Sequence, residues 1–194
     1  MRIHITGNAG SGKTTLAREL GEILDSNVFG LNKIVWKENW EVTPIKERAY
    51  LEKELTSKPE WIIEGVSSAV RKSAEYIVFL DLPRSTCLKR GVLRSLKYMF
   101  SSRPELPKNC PEIKILHRLI KLIWQFNKIA KPSIINDIKE SNSITITNNN
   151  GLYNFVESVR HNKELLDTDS DVKNMKWLQG NLNYLGNEFN QSKQ

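Results

Sequence analysis

Cysteine is nearly missing from this chain, with only Cys87 and Cys110 among 194 residues. Their separation offers neither a metal-type spacing nor a disulfide framework, so zinc modules and disulfide-stapled scaffolds are excluded. No stretch approaches the roughly 18 consecutive apolar residues of a membrane-spanning helix. The opening MRIHITG has none of the basic, apolar and small-residue regions of a secretion signal and reads as a strand. These absences imply a reduced, cytoplasmic setting with no membrane partner. No recognition helix, zinc site or aromatic RNA-binding motif occurs, which excludes sequence-specific nucleic-acid readout. Acidic residues are scarce in one quarter of the chain. Between 84 and 131 stand twelve Lys and Arg against only Glu105 and Glu112, a net +10, whereas the whole chain carries +7. Such a block suits a polyanion, either a nucleotide's phosphates or a nucleic-acid backbone.

What is present describes one α/β domain: 39% hydrophobic and 26% charged residues supply material for a single core. Short, mostly apolar segments at 2–6, 28–31, 61–65 and 76–82 read as strands, with a fifth at 143–147 followed by the turn Asn148-Asn149-Asn150-Gly151. Helical spacing of Leu16, Leu20, Ile23 and Leu24 predicts a helix over 13–25. Thr43-Pro44 predicts another, running to about Leu55. The alternation implies a five-stranded parallel sheet flanked by helices, with a ligand site at the carboxyl ends of the strands. The gap between the last two strands reads as helix 84–98, a loop punctuated by Pro104, Pro107 and Pro111, and helix 112–130 broken at Pro132. On that second helix Ile113, Leu116, Ile120 and Ile123 form an apolar stripe expected to cover the core, and His117 is expected at the surface. Residues 1–166 are thus expected to form one domain with a lid-like basic insert at 84–131, and 167–194 a polar extension.

The stretch ITGNAGSGKTT carries the chemistry. Gly7 to Thr14 matches G-x-x-x-x-G-K-[ST] in full, after a strand and before an amphipathic helix. In that context the backbone N–H groups of Gly7, Asn8, Ala9, Gly10, Ser11 and Gly12, with Thr15 just beyond, cradle a β-phosphate at a helix N-terminus. Lys13 is placed to bridge β- and γ-phosphates, and the Thr14 hydroxyl to ligate Mg²⁺. ATP and Mg²⁺ are the expected cofactors.

The segments MRIHITGNAGSGKTTLA, LNKIVWKENW, WIIEG and YIVFLDLPRSTCLKR together resemble the adenylate-kinase-like group of small P-loop kinases, and especially the bacterial DNA topology modulation proteins. The resemblance spans the first 95 residues and implies a three-layer P-loop fold with a helical lid. By that resemblance Glu64 takes the place of the acid that holds Mg²⁺ through water. Asp81 competes for this role, or caps the helix after Pro83. Arg90 and Arg94 stand at the spacing of paired lid arginines, one turn apart, where they would stabilise a loose in-line phosphoryl transition state. Arg71 is a candidate clamp for an acceptor phosphate. Arg103, Lys108 and the remaining lid charges read as solvated. The subfamily usually carries Asp where this chain has Asn32, and an amide cannot serve as a general base. Trp36 and Trp40 would stack on a base or act as packing anchors. The expectation is transfer of the ATP γ-phosphate to a nucleotide or other small phosphorylated acceptor. The alternatives are a kinase for a hydroxyl-bearing metabolite, with Glu64 as base, and a nucleotide-regulated DNA-associated protein.

Overall fold

Short, mostly apolar strands, the central three buried on both faces, form the centre of the computed structural model, which describes residues 1–168. β1 (Arg2–Gly7), β2 (Val28–Gly30), β3 (Trp61–Glu64), β4 (Tyr76–Leu80) and β5 (Ser143–Ile146) lie in the order β2-β3-β1-β4-β5, every pair parallel. Parallel pairing requires crossovers, and these bring helices onto both faces. In chain order the helices are α1 (Lys13–Leu24), α2 (Asn32–Val35), α3 (Ile45–Thr56), α4 (Ser68–Ser73), α5 (Arg84–Lys97), α6 (Leu116–Ile129), α7 (Lys131–Ile138) and α8 (Asn149–Thr168). Leu16 and Leu20 of α1 and Phe155 and Val159 of α8 bury against Ile3, Ile5, Ile62 and Val78 on one face. On the other face Val70 packs on Trp61 and Ile63, and Phe126 and Ile134 pack on Phe79. Each such side chain contributes about 1.5–3 kcal/mol on burial, so apolar packing on the sheet holds the three layers together. The strand register brings Ile5 level with Glu64 on one side and Val78 on the other, and so gathers the strand ends into one cleft.

Several local expectations change in the folded chain. Thr43 does not cap α3; Pro44 holds the cap position, while Thr43 is buried with its N–H on the Val35 carbonyl at 3.0 Å. The expected turn at 148–151 is a helix start, because Asn148 Oδ1 accepts from the Gly151 N–H at 2.8 Å and opens α8. Pro132 lies in the first turn of α7, where its missing N–H costs nothing. The second insert helix is interrupted: Glu112–Ile115 form a 3-10 turn, and α6 begins only at Leu116. Ile113 lies in that turn and is exposed; within α6 the buried stripe is Leu119, Ile123 and Phe126, with Leu119 and Ile123 packed on Leu82 and Cys87, whereas Ile120 is exposed. α8 continues to Thr168, and the polar extension expected over 167–194 lies from residue 169 onward outside the described residues.

Candidate active site at the carboxyl ends of the strands

The phosphate loop joins Gly7, the last residue of β1, to Gly12, the N-cap of α1. Gly10 adopts φ +79°, and a Cβ there would lie 2.2 Å from the Cys87 carbonyl oxygen, so the loop packs directly on α5. The buried Asn8 amide donates to the Ile123 carbonyl at 3.0 Å and ties the loop to α6. Ala9 packs beside Leu82, Cys87 and Ile123. Ser11 is fully buried, and its Oγ makes no hydrogen bond to protein. Lys13 Nζ folds back to donate to the Asn8 carbonyl at 2.8 Å, across the space the loop encircles. Thr15 is exposed.

β3 carries Glu64 to the same end of the sheet. The Thr14 hydroxyl donates to Glu64 Oε1 at 3.2 Å, and Glu64 itself is only 1% exposed. Its second oxygen, Oε2, is buried without a protein partner. A hydroxyl and a carboxylate with an unused oxygen form a hard oxygen donor set that fits Mg²⁺, the remaining positions being left to phosphate and water. Asp81, at the end of β4, takes a different partner: its Oδ2 accepts from Lys131 Nζ at 2.7 Å.

The insert brings guanidinium groups to this cleft. Arg90 lies beside the loop, with Nη1 at 3.8 Å from the point where a Cβ on Gly12 would stand, and its Nη2 donates to Asn149 Oδ1 at 2.9 Å. Arg94, one turn further along α5, has Nε 3.8 Å from Glu112 Oε1. Arg103 forms an ion pair with the same carboxylate oxygen. Burial pushes the Lys13 ammonium below its ordinary pKa; the Glu64 charge opposes this, and the charges of Arg94 and Arg103 add to it. Arg94 is itself held below its ordinary value by burial and then by Arg103, with Glu112 acting against both. Arg90 thus lies beside the loop, and Arg94 and Arg103, gathered on Glu112, are near enough for their charges to act on Lys13. The burial of Arg103 and Glu112 beside Arg94 was not readable, because a basic residue in a proline-rich loop looks solvated. The one available signal was the rarity of acids in the basic block.

The residues expected near an acceptor lie among packed side chains. Arg71 is 3% exposed, donating from Nε to Asp137 Oδ2 at 2.8 Å and from Nη2 to Ser133 Oγ at 3.1 Å. Asn32 opens α2 and is half-buried. Trp36 and Trp40 meet edge to face at 5.3 Å, Arg118 lies over the Trp36 ring at 5.1 Å, and Trp40 Nε1 donates to the Pro111 carbonyl at 3.0 Å. The two tryptophans thus join the segment after β2 to the insert. His117 is exposed on α6.

A β2-β3-β1-β4-β5 parallel sheet with a G-x-x-x-x-G-K-T loop after its central strand is a three-layer fold of the P-loop type. Comparison with protein-family models and with curated protein sequences finds no match. Among solved structures, a gluconokinase from Sinorhizobium meliloti 1021 shares this fold at a TM-score of 0.50 and 15% identity, over 85% of this chain and 92% of that one. Shikimate kinase from Acinetobacter baumannii, in complex with shikimate, aligns at a TM-score of 0.49 and 21% identity, over 89% and 95% of the two chains. Shikimate kinase from Bacteroides thetaiotaomicron aligns at 0.48 and 16%, over 86% and 98%. Among the described residues no helix is long and apolar enough to cross a membrane.

Proposed function

We propose that this protein is an ATP-dependent phosphotransferase that moves the γ-phosphoryl group of ATP to a small-molecule acceptor. The observation that carries the reading is the meeting of Lys13, Thr14 and Glu64 with Arg90 and Arg94 around one loop. The loop amides and Lys13 bind the β- and γ-phosphates. Arg90 and Arg94 offset charge on the equatorial oxygens as the phosphoryl group passes in line to the acceptor. Thr14 and Glu64 would hold Mg²⁺, which when bound would supply charge neutralisation to the phosphates. Asp81, paired with Lys131, is the lesser candidate for that role.

A phosphorylated acceptor is favoured by Asn32, because an ionised phosphate oxygen attacks without a general base, which the amide cannot supply. Glu64 Oε2, buried and unpartnered, favours a second reading in which a hydroxyl-bearing metabolite gives its proton to Glu64. The DNA-associated reading has less support. Of the twelve basic residues in the insert, Arg84, Arg90, Arg94, Lys97, Arg103, Arg118 and Lys131 contact partners within the chain, which breaks up any continuous phosphate-binding face.

ADP release from Mg-ATP, screened across nucleoside mono- and diphosphates and hydroxyl metabolites, tests the proposal. Lys13→Ala is expected to lower the acceptor-dependent rate by about 100-fold or more. Phosphotransfer to a hydroxyl compound, lost in Glu64→Gln, selects the second reading. No acceptor-dependent ADP above the Lys13→Ala control, together with tight, salt-dependent DNA binding, overturns the enzymatic reading in favour of DNA association.

A further inference from the structure

Glu112 is the one fully buried carboxylate in the basic insert, and it lies among cations. It is 0% exposed; Ser95 Oγ donates to its Oε2 at 2.8 Å, and Arg103 and Arg94 both approach its Oε1. A buried carboxylate is retained only where charges and hydrogen bonds compensate it, and these three side chains do so from two different segments. Its backbone is fixed as well, with the Glu112 N–H on the Tyr98 carbonyl at 3.1 Å. The preceding residue, Pro111, receives the Trp40 indole N–H, and Cys110 Sγ lies 3.5 Å from the Lys37 carbonyl oxygen. The segment on the other side of this joint is strained, because Asn39 and Trp40 sit at φ +59° and +64°, where non-glycine residues are rarely held. Glu112 therefore stands where the insert, the arginines of the phosphate site and the segment after β2 come together.

We infer that Glu112 is a positioning residue that holds the guanidinium groups of Arg94 and Arg103 together at the γ-phosphate end of the nucleotide site. Without it two cations would face each other beside Lys13, and mutual repulsion would turn at least one toward solvent. With it, both remain within reach of a third phosphate. A diphosphate ends short of them and does not sense the change. The Trp40–Pro111 contact seats the same loop on the acceptor side, so the carboxylate is ordered only when that loop is seated.

This inference rests on the proposed nucleotide chemistry, and its test reads binding and not turnover. The dissociation constants of ADP and of a non-hydrolysable ATP analogue are measured by calorimetry for the wild type, E112Q, E112D and S95A, with folding checked by circular dichroism. In the wild type the analogue is expected to bind about tenfold tighter than ADP, as charge-assisted contacts to the third phosphate require. E112Q should bring the ratio to about one while changing ADP affinity less than about twofold, and E112D should keep most of the discrimination. S95A loosens the carboxylate without removing a charge; it should give an intermediate ratio, and it decides the matter if E112Q does not fold. A wild type that binds neither nucleotide overturns the phosphotransferase reading and this inference with it. Wild-type discrimination retained in folded E112Q, or in S95A where E112Q does not fold, overturns this inference alone. Equal weakening of both nucleotides would show a general structural role and overturns it too.

Discussion

Acid should destabilise this protein through one imidazole. His4 lies in β1 with no exposed surface, beside the strand end that carries Glu64. Its Nε2 lies 3.1 Å from the Gly65 carbonyl, which can only accept, so that nitrogen carries the proton and Nδ1 is bare. Nδ1 is buried without a hydrogen-bond partner. Burial, then the nearby Arg71 charge, lowers the His4 pKa from 6.5 to about 3, while the bond to Gly65 pulls weakly the other way. The unfolded chain binds this proton below about pH 6.5 and the folded chain does not, so stability is fully present above pH 6.5 and is lost as pH falls toward 3. At 1.36 kcal/mol per unit, the loss from this residue is about 2 kcal/mol at pH 5 and about 3 kcal/mol at pH 4. Urea unfolding at pH 7.5 and pH 5, for the wild type and for His4→Gln, isolates the contribution, because every other titrating group is common to both. The wild type should lose about 2 kcal/mol more than the variant across that interval. Equal losses, or a larger loss in His4→Gln, would refute the placement of a neutral histidine in the sheet.

Two further substitutions read the packing around the site. Asp137→Ala leaves the Arg71 guanidinium buried with only Ser133 beside it, and should cost about 3–5 kcal/mol in urea unfolding; a loss under about 1 kcal/mol would mean that solvent reaches Arg71. Gly10→Ala forces a methyl into the Cys87 carbonyl at positive φ, whereas a Cβ at Gly12 meets nothing nearer than Arg90 Nη1 at 3.8 Å. Thermal unfolding should therefore place Gly10→Ala about 2 kcal/mol or more below the wild type and Gly12→Ala about 1 kcal/mol below; the reverse order would mean that the loop does not rest on α5.

The architecture was readable in the sequence because it depends on local patterns. Apolar runs such as Trp61-Ile62-Ile63 and Tyr76 to Leu82 reflect burial on both faces of a parallel sheet, and the Gly7–Thr14 loop carries its own backbone requirements. Short helices were not readable: the six residues of α4 contain less than two turns of periodicity, and α7 carries in its first turn a proline that also reads as a stop. The α6 stripe was misplaced for a different reason. Ile113 falls in the 3-10 turn outside the helix, while Leu119 and Ile120 are neighbours on one helical surface, and packing on Leu82 and Cys87 decides that Leu119 is the buried one. Thr43, a strong capping residue type, was overridden by tertiary burial.

What separates the two halves of the site is the origin of their constraints. Lys13, Thr14 and the loop glycines fall within eight consecutive residues whose backbone requirements are written into the motif, so a motif is enough to locate them even though the loop also rests on α5 and α6. Arg94, Arg103 and Glu112 converge from α5, the loop after it and the 3-10 turn, and no local pattern records that meeting. The same holds for Trp40, whose left-handed backbone is held by a carbonyl 71 positions away. If the nucleotide is gripped by the local half and discriminated by the non-local half, triphosphate recognition depends on the Arg94–Arg103–Glu112 cluster being seated, whereas diphosphate binding depends on the loop and the helices α5 and α6 on which it rests. A change in that cluster should then alter which nucleotide is preferred long before it alters whether one binds.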